Sequence, residues 1–502
     1  MLLSKLISKV DVKEKVNNLD LDITNIHSDS RKIKEGGLFV AINGFTKNGT
    51  DFIPDAINNG AKAIIVEPDT NLNNLNVPKN IPVISVQNTR RALAQVSSEF
   101  YDNPSKKLKL IGVTGTKGKT TSTFMIKSIL EKHGLNVGLI GSIAVYINEE
   151  KIEDTDRTTP ESIDIQKNLA MMVEKSVDVA ILEVSSQAMK LDRVYGCDFD
   201  VSLFTNLTED HISAKEHPNM EDYFNCKLEL LKISKHCVIN NDDKTVSNIK
   251  NLLPEKDIKT FGIENDADFK VDEKDIVITD SCIDFSIKYN GKFERVEASI
   301  PGKFSIYNAA GSISVCSYFG VTADEIRAAL KDLKVLGRSE LVPNKLGLTI
   351  MIDYAHTPSS LESILTAVKT YAKGRIICAW GVGGDRDAAK RPVMGEISGR
   401  LADYTVLMSD QVRTEDPLKI LKEIELGIIP TGKPYKIVVD RTEGIKYAIS
   451  IAKKGDIIVI PGLGHDLYLE RNGVKYPYDE RKVIAKLIDE MIESGERTPI
   501  ES

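Results

Sequence analysis

The stretch LKLIGVTGTKGKTTSTFMI, residues Leu108 to Ile126, reads as an apolar strand, a tight loop and the start of a helix. The strict phosphate-loop pattern puts a glycine five residues before its Gly-Lys pair. Here that position is Val113, so the strict pattern fails. Its physical parts remain. Gly115 and Gly118 allow close backbone approach, and successive N–H groups opening a helix can cradle phosphate oxygens. Lys119 can reach β- and γ-phosphates, and the Thr120 hydroxyl suits magnesium. The bland alternative is a Gly-rich turn with solvated lysines. The apolar strand before it and the helix after it favour a nucleotide cradle of Gly115, Thr116, Lys117, Gly118, Lys119, Thr120 and Thr121.

Working outward, apolar strand-like runs alternate with helical ones, which implies mostly parallel sheets and an α/β fold. GLFVAI, AKAIIVE and IPVISV lie before the loop, and VGLIGSI, VDVAILEVSS, DVSLFTNL and HCVIN follow it. A β insertion is expected over FKVDEKDIVITDSCIDFSIKYNGKFERVEASI. LTIMIDYA, GRIICAWGVGG, YTVLMSD, YKIVVD and DIIVIPGLG then form a second alternating block. A chain of 502 residues is long enough for about three domains. We expect them at 1–102, 103–336 and 337–502.

The formal charge of -7 argues against nonspecific binding to nucleic acid or anionic membrane. Six cysteines without a CxxC pair suggest neither a zinc site nor a disulfide framework. The N-terminal apolar stretch is too short and too broken by lysine for a signal peptide, and no run approaches a membrane span. A cytoplasmic protein is expected.

Polar clusters recur at strand ends. Glu183 and Ser185 close a buried run, facing the crevice where such sheets bind ligands. Glu183 is a candidate magnesium ligand or, alternatively, part of a helix cap. FTNLTEDHISAKEHPNMEDYFNCK holds Asp210, His211, His217 and Lys227, a metal-binding turn or a solvated acidic loop. DYAHTP places Asp353 and His356 at a strand end. GVGGDRDAAKRP couples a Gly-rich turn to Arg386, Lys390 and Arg391, where guanidinium suits carboxylate. SDQVRTEDP and PGLGHDLY follow further buried strands.

Taken in order, these motifs resemble the Mur ligase family, ATP-dependent amide-bond ligases of peptidoglycan precursor synthesis. The nearest likeness is to the ligases that add a third residue to UDP-MurNAc-L-Ala-D-Glu. The resemblance rests on GVTGTKGKTT, RTTPES, LEVSSQAM, FTNLTEDH, PGKFSIYNAAG, GRSE, DYAHTP, GGDRDAAKRP and YPYDERKV, and covers nearly the whole chain. It implies an N-terminal domain for the UDP end, a central ATPase domain and a C-terminal Rossmann-like domain. It implies transfer of the γ-phosphoryl of ATP to the D-Glu carboxylate, then attack by the amine of a free amino acid. Lys119, His211 and Lys227 take catalytic roles by resemblance. Thr120, Glu183, His211 and a carbamylated Lys227 resemble magnesium ligands, and Asn308, Arg338 and Asp353 resemble ATP contacts. Ser30 matches the UDP end, while Thr158, Thr159, Ser185 and Arg193 resemble contacts to the muramoyl-dipeptide. Arg386, Asp410, Gln411, Arg413, Gly462 and Asp466 would take the amino acid. A monomer is expected.

There are departures from the family pattern. The run from His211 to Lys227 is two residues longer than the resemblance leads us to expect. Gln187 stands where histidine is usual, Ser305 where asparagine is usual, and LGRSE where Pro-Gly-Arg-Met-Glu is usual. Asp410-Gln411-Val412-Arg413 replaces Asp-Asn-Pro-Arg, and Gly462-Leu463-Gly464-His465-Asp466 replaces Gly-Lys-Gly-His-Glu. Arg413 suits the distal carboxylate of meso-diaminopimelate, which is the expected third residue. L-lysine, another amino acid, or a paralogue with a different acceptor are the alternatives.

Overall fold

The computed structural model describes every residue except 18, 45, 46, 69, 71–76, 211, 214, 215 and 500–502. The chain divides into two compact units, Met1–Phe269 with Gly311–Thr322, and Lys270–Ala310 with Ala323–Ser502.

The first unit contains two sheets. After helix α1 (Leu3–Leu6), the first comprises β1 (Val12–Val16), β2 (Asn25–His27), β3 (Gly37–Val40), β4 (Ala61–Val66) and β5 (Val83–Val86). Their order is β1-β5-β4-β3-β2, parallel except for β1 against β5. Neighbouring residues on β3 point to opposite faces, as a strand requires. Leu38 and Val40 join a core with Leu93 and Val96 of α3 (Thr89–Phe100). Phe39 joins another with Ile53 and Ala56 of α2 (Ile53–Asn58).

The second sheet runs through β6 (Lys109–Thr114), α4 (Lys119–Lys132), β7 (Val137–Ile140), β8 (Ala144–Ile147), β9 (Glu150–Asp154), α5 (Ser162–Glu174), β10 (Val179–Glu183) and α6 (Ser186–Lys190). It continues through β11 (Val201–Phe204), α7 (Met220–Ile233), β12 (His236–Asn240), α8 (Lys244–Ser247), α9 (Ile249–Leu252) and β13 (Asp257–Gly262). Within this unit the order is β13-β12-β11-β6-β10-β7-β8-β9. Pairing is parallel from β13 to β7, and β8 and β9 add an antiparallel hairpin. β6 lies between β10 and β11. The chain leaves it to one side and returns on the other, the switch point where such sheets open a ligand crevice. Both faces are covered, so β10 and β11 are buried throughout and read as mostly apolar runs, interrupted only by Ser202 and ended by Glu183.

The second unit begins with the antiparallel meander β14 (Phe269–Ile278), β15 (Ile283–Tyr289) and β16 (Lys292–Ala298), the expected β insertion. Helices α10 (Lys303–Cys316) and α11 (Ala323–Lys331) follow. Then come β17 (Glu340–Leu341), β18 (Thr349–Asp353), α12 (Pro358–Lys369), β19 (Ile376–Trp380), α13 (Lys390–Leu401), β20 (Tyr404–Leu407) and α14 (Pro417–Ile428). The chain ends with β21 (Tyr435–Ile437), α15 (Arg441–Ile451), β22 (Ile457–Pro461), the hairpin β23 (Tyr468–Arg471) and β24 (Val474–Pro477), and α16 (Glu480–Glu493). Strands β17 to β22 form one sheet in the order β17-β18-β22-β19-β20-β21, parallel apart from β17. Because β18, β22, β19 and β20 run parallel, the loops after them gather at one end of the sheet. No helix among the described residues is long and apolar enough to cross a membrane.

Candidate active site

The loop after β6 is built to bring backbone close. Gly115 has φ +141°, and a Cβ there would lie 1.9 Å from Thr205 Oγ1. Asn206 fastens the loop from below: its carbonyl accepts from the Thr116 amide at 2.9 Å, and its Oδ1 from the Lys117 amide at 3.0 Å. Lys119 opens α4 and reaches back, its ammonium donating to the carbonyls of Gly115 at 2.9 Å and Thr116 at 3.0 Å. Thr121 is buried in the first turn of the same helix.

Thr120 donates to Glu183 Oε2 at 3.1 Å across the ends of β6 and β10. Ser142, just beyond β7, completes the carboxylate's shell. Its amide donates to Oε1 and its hydroxyl to Oε2, both at 3.0 Å. That hydroxyl also lies 3.0 Å from Thr158 Oγ1. Thr159 Oγ1 donates to the Glu183 carbonyl at 2.8 Å and accepts from the Ser185 amide at 3.0 Å. Arg193 Nη1 donates to the Thr159 carbonyl at 3.2 Å. Burial draws the Arg193 pKa down, and the nearby Glu161 works against that. Thr120, Thr158, Thr159, Glu183, Ser185 and Arg193 therefore belong to one network. Thr120 and Glu183 offer hard oxygen donors close together, a set that suits magnesium.

Lys227 projects from α7 to the same loop, its Nζ donating to the Gly115 carbonyl at 2.9 Å. It is buried, 4.5 Å from the centre of the Tyr223 ring. Burial, reinforced by the Lys119 cation, holds its amine well below the ordinary lysine range. Candidate ligand His211 lies outside the described residues. His217, also in that loop, is wholly buried. One ring nitrogen lies 2.7 Å from Asp222 Oδ2 and the other 2.8 Å from Ser186 Oγ. With Cys226 it makes a group whose ligand atoms lie within 4.8 Å of one another. Ser30 is buried beside β2, its carbonyl accepting from Asn59 Nδ2 at 2.9 Å.

In the second unit Asp353 ends β18. Its Oδ2 accepts the Ser339 amide at 2.8 Å, and burial pushes its pKa up while the Arg338 cation pulls the other way. Arg338 lies 4.9 Å over the Tyr354 ring. Asn308 is buried on α10. Gln411 Nε2 donates to Asp466 Oδ2 at 2.7 Å, so the longer side chain meets the shorter one. Gly462 has φ +129°, and a Cβ there would lie 2.4 Å from Asp410 Oδ2. Arg413 donates through Nη1 to the Gly384 carbonyl at 2.7 Å and through Nη2 to Gln411 Oε1 at 3.3 Å. Burial raises the Asp466 pKa, opposed by the Gln411 bond and assisted by Asp410. Arg386 is exposed on the loop after β19, without a hydrogen bond or ion pair to the described residues. Burial and the Arg386 cation together lower the Lys390 pKa.

The Mur ligase middle domain matches residues 113–316, the Mur ligase glutamate ligase domain residues 337–464, and the Mur ligase family catalytic domain residues 22–101. A UDP-N-acetylmuramoyl-L-alanyl-D-glutamate–2,6-diaminopimelate ligase 1 of Clostridium acetobutylicum is 42% identical, spanning 98% of this chain and all of its own length. The chain belongs to the Mur ligase family. A 2,6-diaminopimelate ligase of the same description from Clostridium botulinum is 44% identical, over 94% of this Mur ligase and 96% of its own chain. A solved structure of such a diaminopimelate ligase matches with a TM-score of 0.69 at 26% identity, covering 98% of this chain and 99% of that one. A MurF ligase from Thermotoga maritima, solved with ADP, shares the fold at a TM-score of 0.59 and 21% identity. It is matched over 95% of this chain and all of its own.

Ser142, Asn206 and Tyr223 of this Mur ligase also touch Glu183 or the loop, and none is among the residues expected from the sequence. Tyr223 donates to Thr116 Oγ1 at 3.2 Å. Ser142 follows a buried strand as Glu183 does, so the same strand-end argument could have found it. Asn206 and Tyr223 carry no local signal, because their role is contact with a loop about 90 to 107 residues earlier.

Proposed function

We propose that this Mur ligase joins meso-diaminopimelate to the D-Glu carboxylate of UDP-MurNAc-L-Ala-D-Glu, converting ATP to ADP and phosphate, in peptidoglycan precursor synthesis in the cytoplasm. The observation that carries the amino-acid assignment is the cluster of Arg413, Gln411, Asp410 and Asp466 at one end of the sheet. A diamino diacid has a distal carboxylate for a guanidinium fork and a distal ammonium for acidic groups. The names of the relatives at about 40% identity agree with it. ATP as phosphoryl donor is supported by the loop after β6 and by ADP in the related fold. The functional domains in this reading are 1–102, 103–336 and 337–502, with Ser30 toward the UDP end.

The chemistry follows from charge. A carboxylate is a poor acyl donor, and phosphorylation supplies it with a good leaving group. The donor and the acceptor are both anions, so the site must offset repulsion as they approach. Lys119 and the N–H groups of the 115–121 loop hold the β- and γ-phosphates. Thr120 and Glu183, with His211, would hold magnesium, which when bound neutralises phosphate charge. Thr158, Thr159, Ser185 and Arg193 orient the dipeptide so that its γ-carboxylate faces the γ-phosphorus. The acyl phosphate then meets the amine of the amino acid, and the tetrahedral adduct collapses to amide and phosphate. Asn308, Arg338 and Asp353 serve the nucleotide, and Arg386 the amino acid. Burial lowers the Lys227 pKa, which favours the uncharged amine that would add carbon dioxide to become a carbamate.

The test is ADP release from ATP and UDP-MurNAc-L-Ala-D-Glu with meso-diaminopimelate, L-lysine, L-ornithine or no amino acid. Release with diaminopimelate alone is expected. Turnover only with lysine or ornithine would keep the ligase and overturn the amino-acid assignment.

A further inference from the structure

Arg413 already has a counter-ion. Glu470 Oε2, on β23, lies 3.3 Å from Arg413 Nε. The pairing is built into the backbone. The Arg413 amide donates to the Glu470 carbonyl at 3.0 Å, and Asn472 donates back to the Arg413 carbonyl at 2.8 Å. Arg413 also bridges Arg471 in strand fashion and has φ +49°, a left-handed backbone uncommon for arginine. The β23–β24 hairpin thus clips onto the turn that presents the guanidinium and sets a carboxylate against it. Both side chains are about one-fifth to one-quarter exposed, within reach of an entering ligand. The remaining bonds of the fork run to Gly384 and Gln411, and Gln411 in turn holds Asp466.

We propose that Glu470 is a specificity-determining residue, an internal carboxylate that occupies Arg413 and that the distal carboxylate of the incoming amino acid must displace. The inference rests on the diaminopimelate reading above. An unmasked guanidinium would attract any small carboxylate. With Glu470 in place, a ligand gains only if it replaces that ion pair and also offers its distal ammonium to Asp410 and Asp466. L-lysine carries the ammonium but no second carboxylate, so it has nothing with which to displace Glu470. Glu470 therefore raises the threshold for a lone carboxylate at the expense of affinity for diaminopimelate.

The test is steady-state kinetics of the full-length enzyme and its Glu470→Gln variant, with meso-diaminopimelate as substrate and pimelate, a dicarboxylate without an amine, as competing ligand. A partly exposed ion pair contributes little, so the KM for diaminopimelate is expected to fall by about two- to fivefold. The inhibition constant for pimelate is expected to fall by a larger factor, because without Glu470 a carboxylate lacking the ammonium meets an unmasked guanidinium; one that stays or rises would overturn the specificity role. A melting curve checks the fold, and Glu470→Asp, one methylene shorter, gives the same direction should the amide variant fail to fold. A KM that rises would overturn the proposal by assigning Glu470 to the distal ammonium. An unmoved KM would overturn it too, making the pair a structural clip only. Wild-type ADP release with diaminopimelate is read first. Its absence defeats the amino-acid assignment and this inference with it, whereas its presence with an unmoved or raised KM defeats the inference alone.

Discussion

Lys119 and Lys227 lie on the same loop carbonyl yet differ in chemistry. Lys119 opens a helix at the mouth of the loop, where its charge can meet phosphate. Replacing it with alanine should cut ADP release by about a hundredfold or more, because an electrostatic contact to the transferring phosphoryl is lost. A reduction below tenfold in a folded variant would remove Lys119 from that role. Lys227 is enclosed, and its folded pKa is depressed while the unfolded value is ordinary. Between those two values the unfolded chain binds the extra proton, so native stability rises with pH. Lys227→Met removes that dependence. The variant should be inactive, and in bicarbonate-free buffer its stability relative to the native protein should decline as pH rises toward the ordinary lysine value. Denaturant titrations at several pH values check this, and parallel curves would contradict it.

Between elements, His217 links α6 to α7. Its ring joins Ser186 at the start of α6 to Asp222 in the first turn of α7, and Lys190 at the end of α6 also meets Asp222 at 2.9 Å. This clamp sets the turn carrying Ser185 against the helix carrying Lys227. His217→Ala would leave Ser186 without that partner and open a small cavity, for an expected loss of roughly 2–4 kcal/mol. Urea unfolding measures it, and a change under about 0.5 kcal/mol would make the clamp idle. The buried Arg391 does similar work after β19, bonding Glu415 at 2.7 and 2.9 Å and Glu423 at 2.6 Å. Glu415 is thereby held at a pKa of about 2. By sequence Arg391 is an anion-binding candidate, but in the structure its guanidinium is spent on these two carboxylates.

For the molecule as a whole, nucleotide binding should be visible as stability. ADP with magnesium at about a hundred times its dissociation constant should add roughly 2.7 kcal/mol, if it binds only the folded chain. A thermal shift that is lost in Lys119→Ala is the expected result. A shift equal in both proteins would move the nucleotide away from this loop.

What the chain determines by itself is local. Alternating apolar runs specify parallel strands because both faces of such a sheet are covered, and every alternating run named from sequence forms a strand. Gly-Lys-Thr-Thr after a strand specifies the loop and helix start that we propose as a phosphate cradle, because helix-opening N–H groups and glycine geometry are short-range properties. The short strands β8 and β9 were not legible, since a half-exposed hairpin such as EKIED lacks a clear apolar period. Only the tertiary structure decided which strand ends meet. β10 enters beside β6 in the first unit, and β22 enters between β18 and β19 in the second, so within each unit residues far apart in the chain are brought together. That placement brings Ser142 to Glu183, Asn206 to the loop backbone and Glu470 to Arg413. It also decides that Lys227 is buried beside Lys119, and burial, not lysine itself, lowers its pKa. Such contacts depend on crossover topology and on desolvation, neither of which is written in any local stretch of residues.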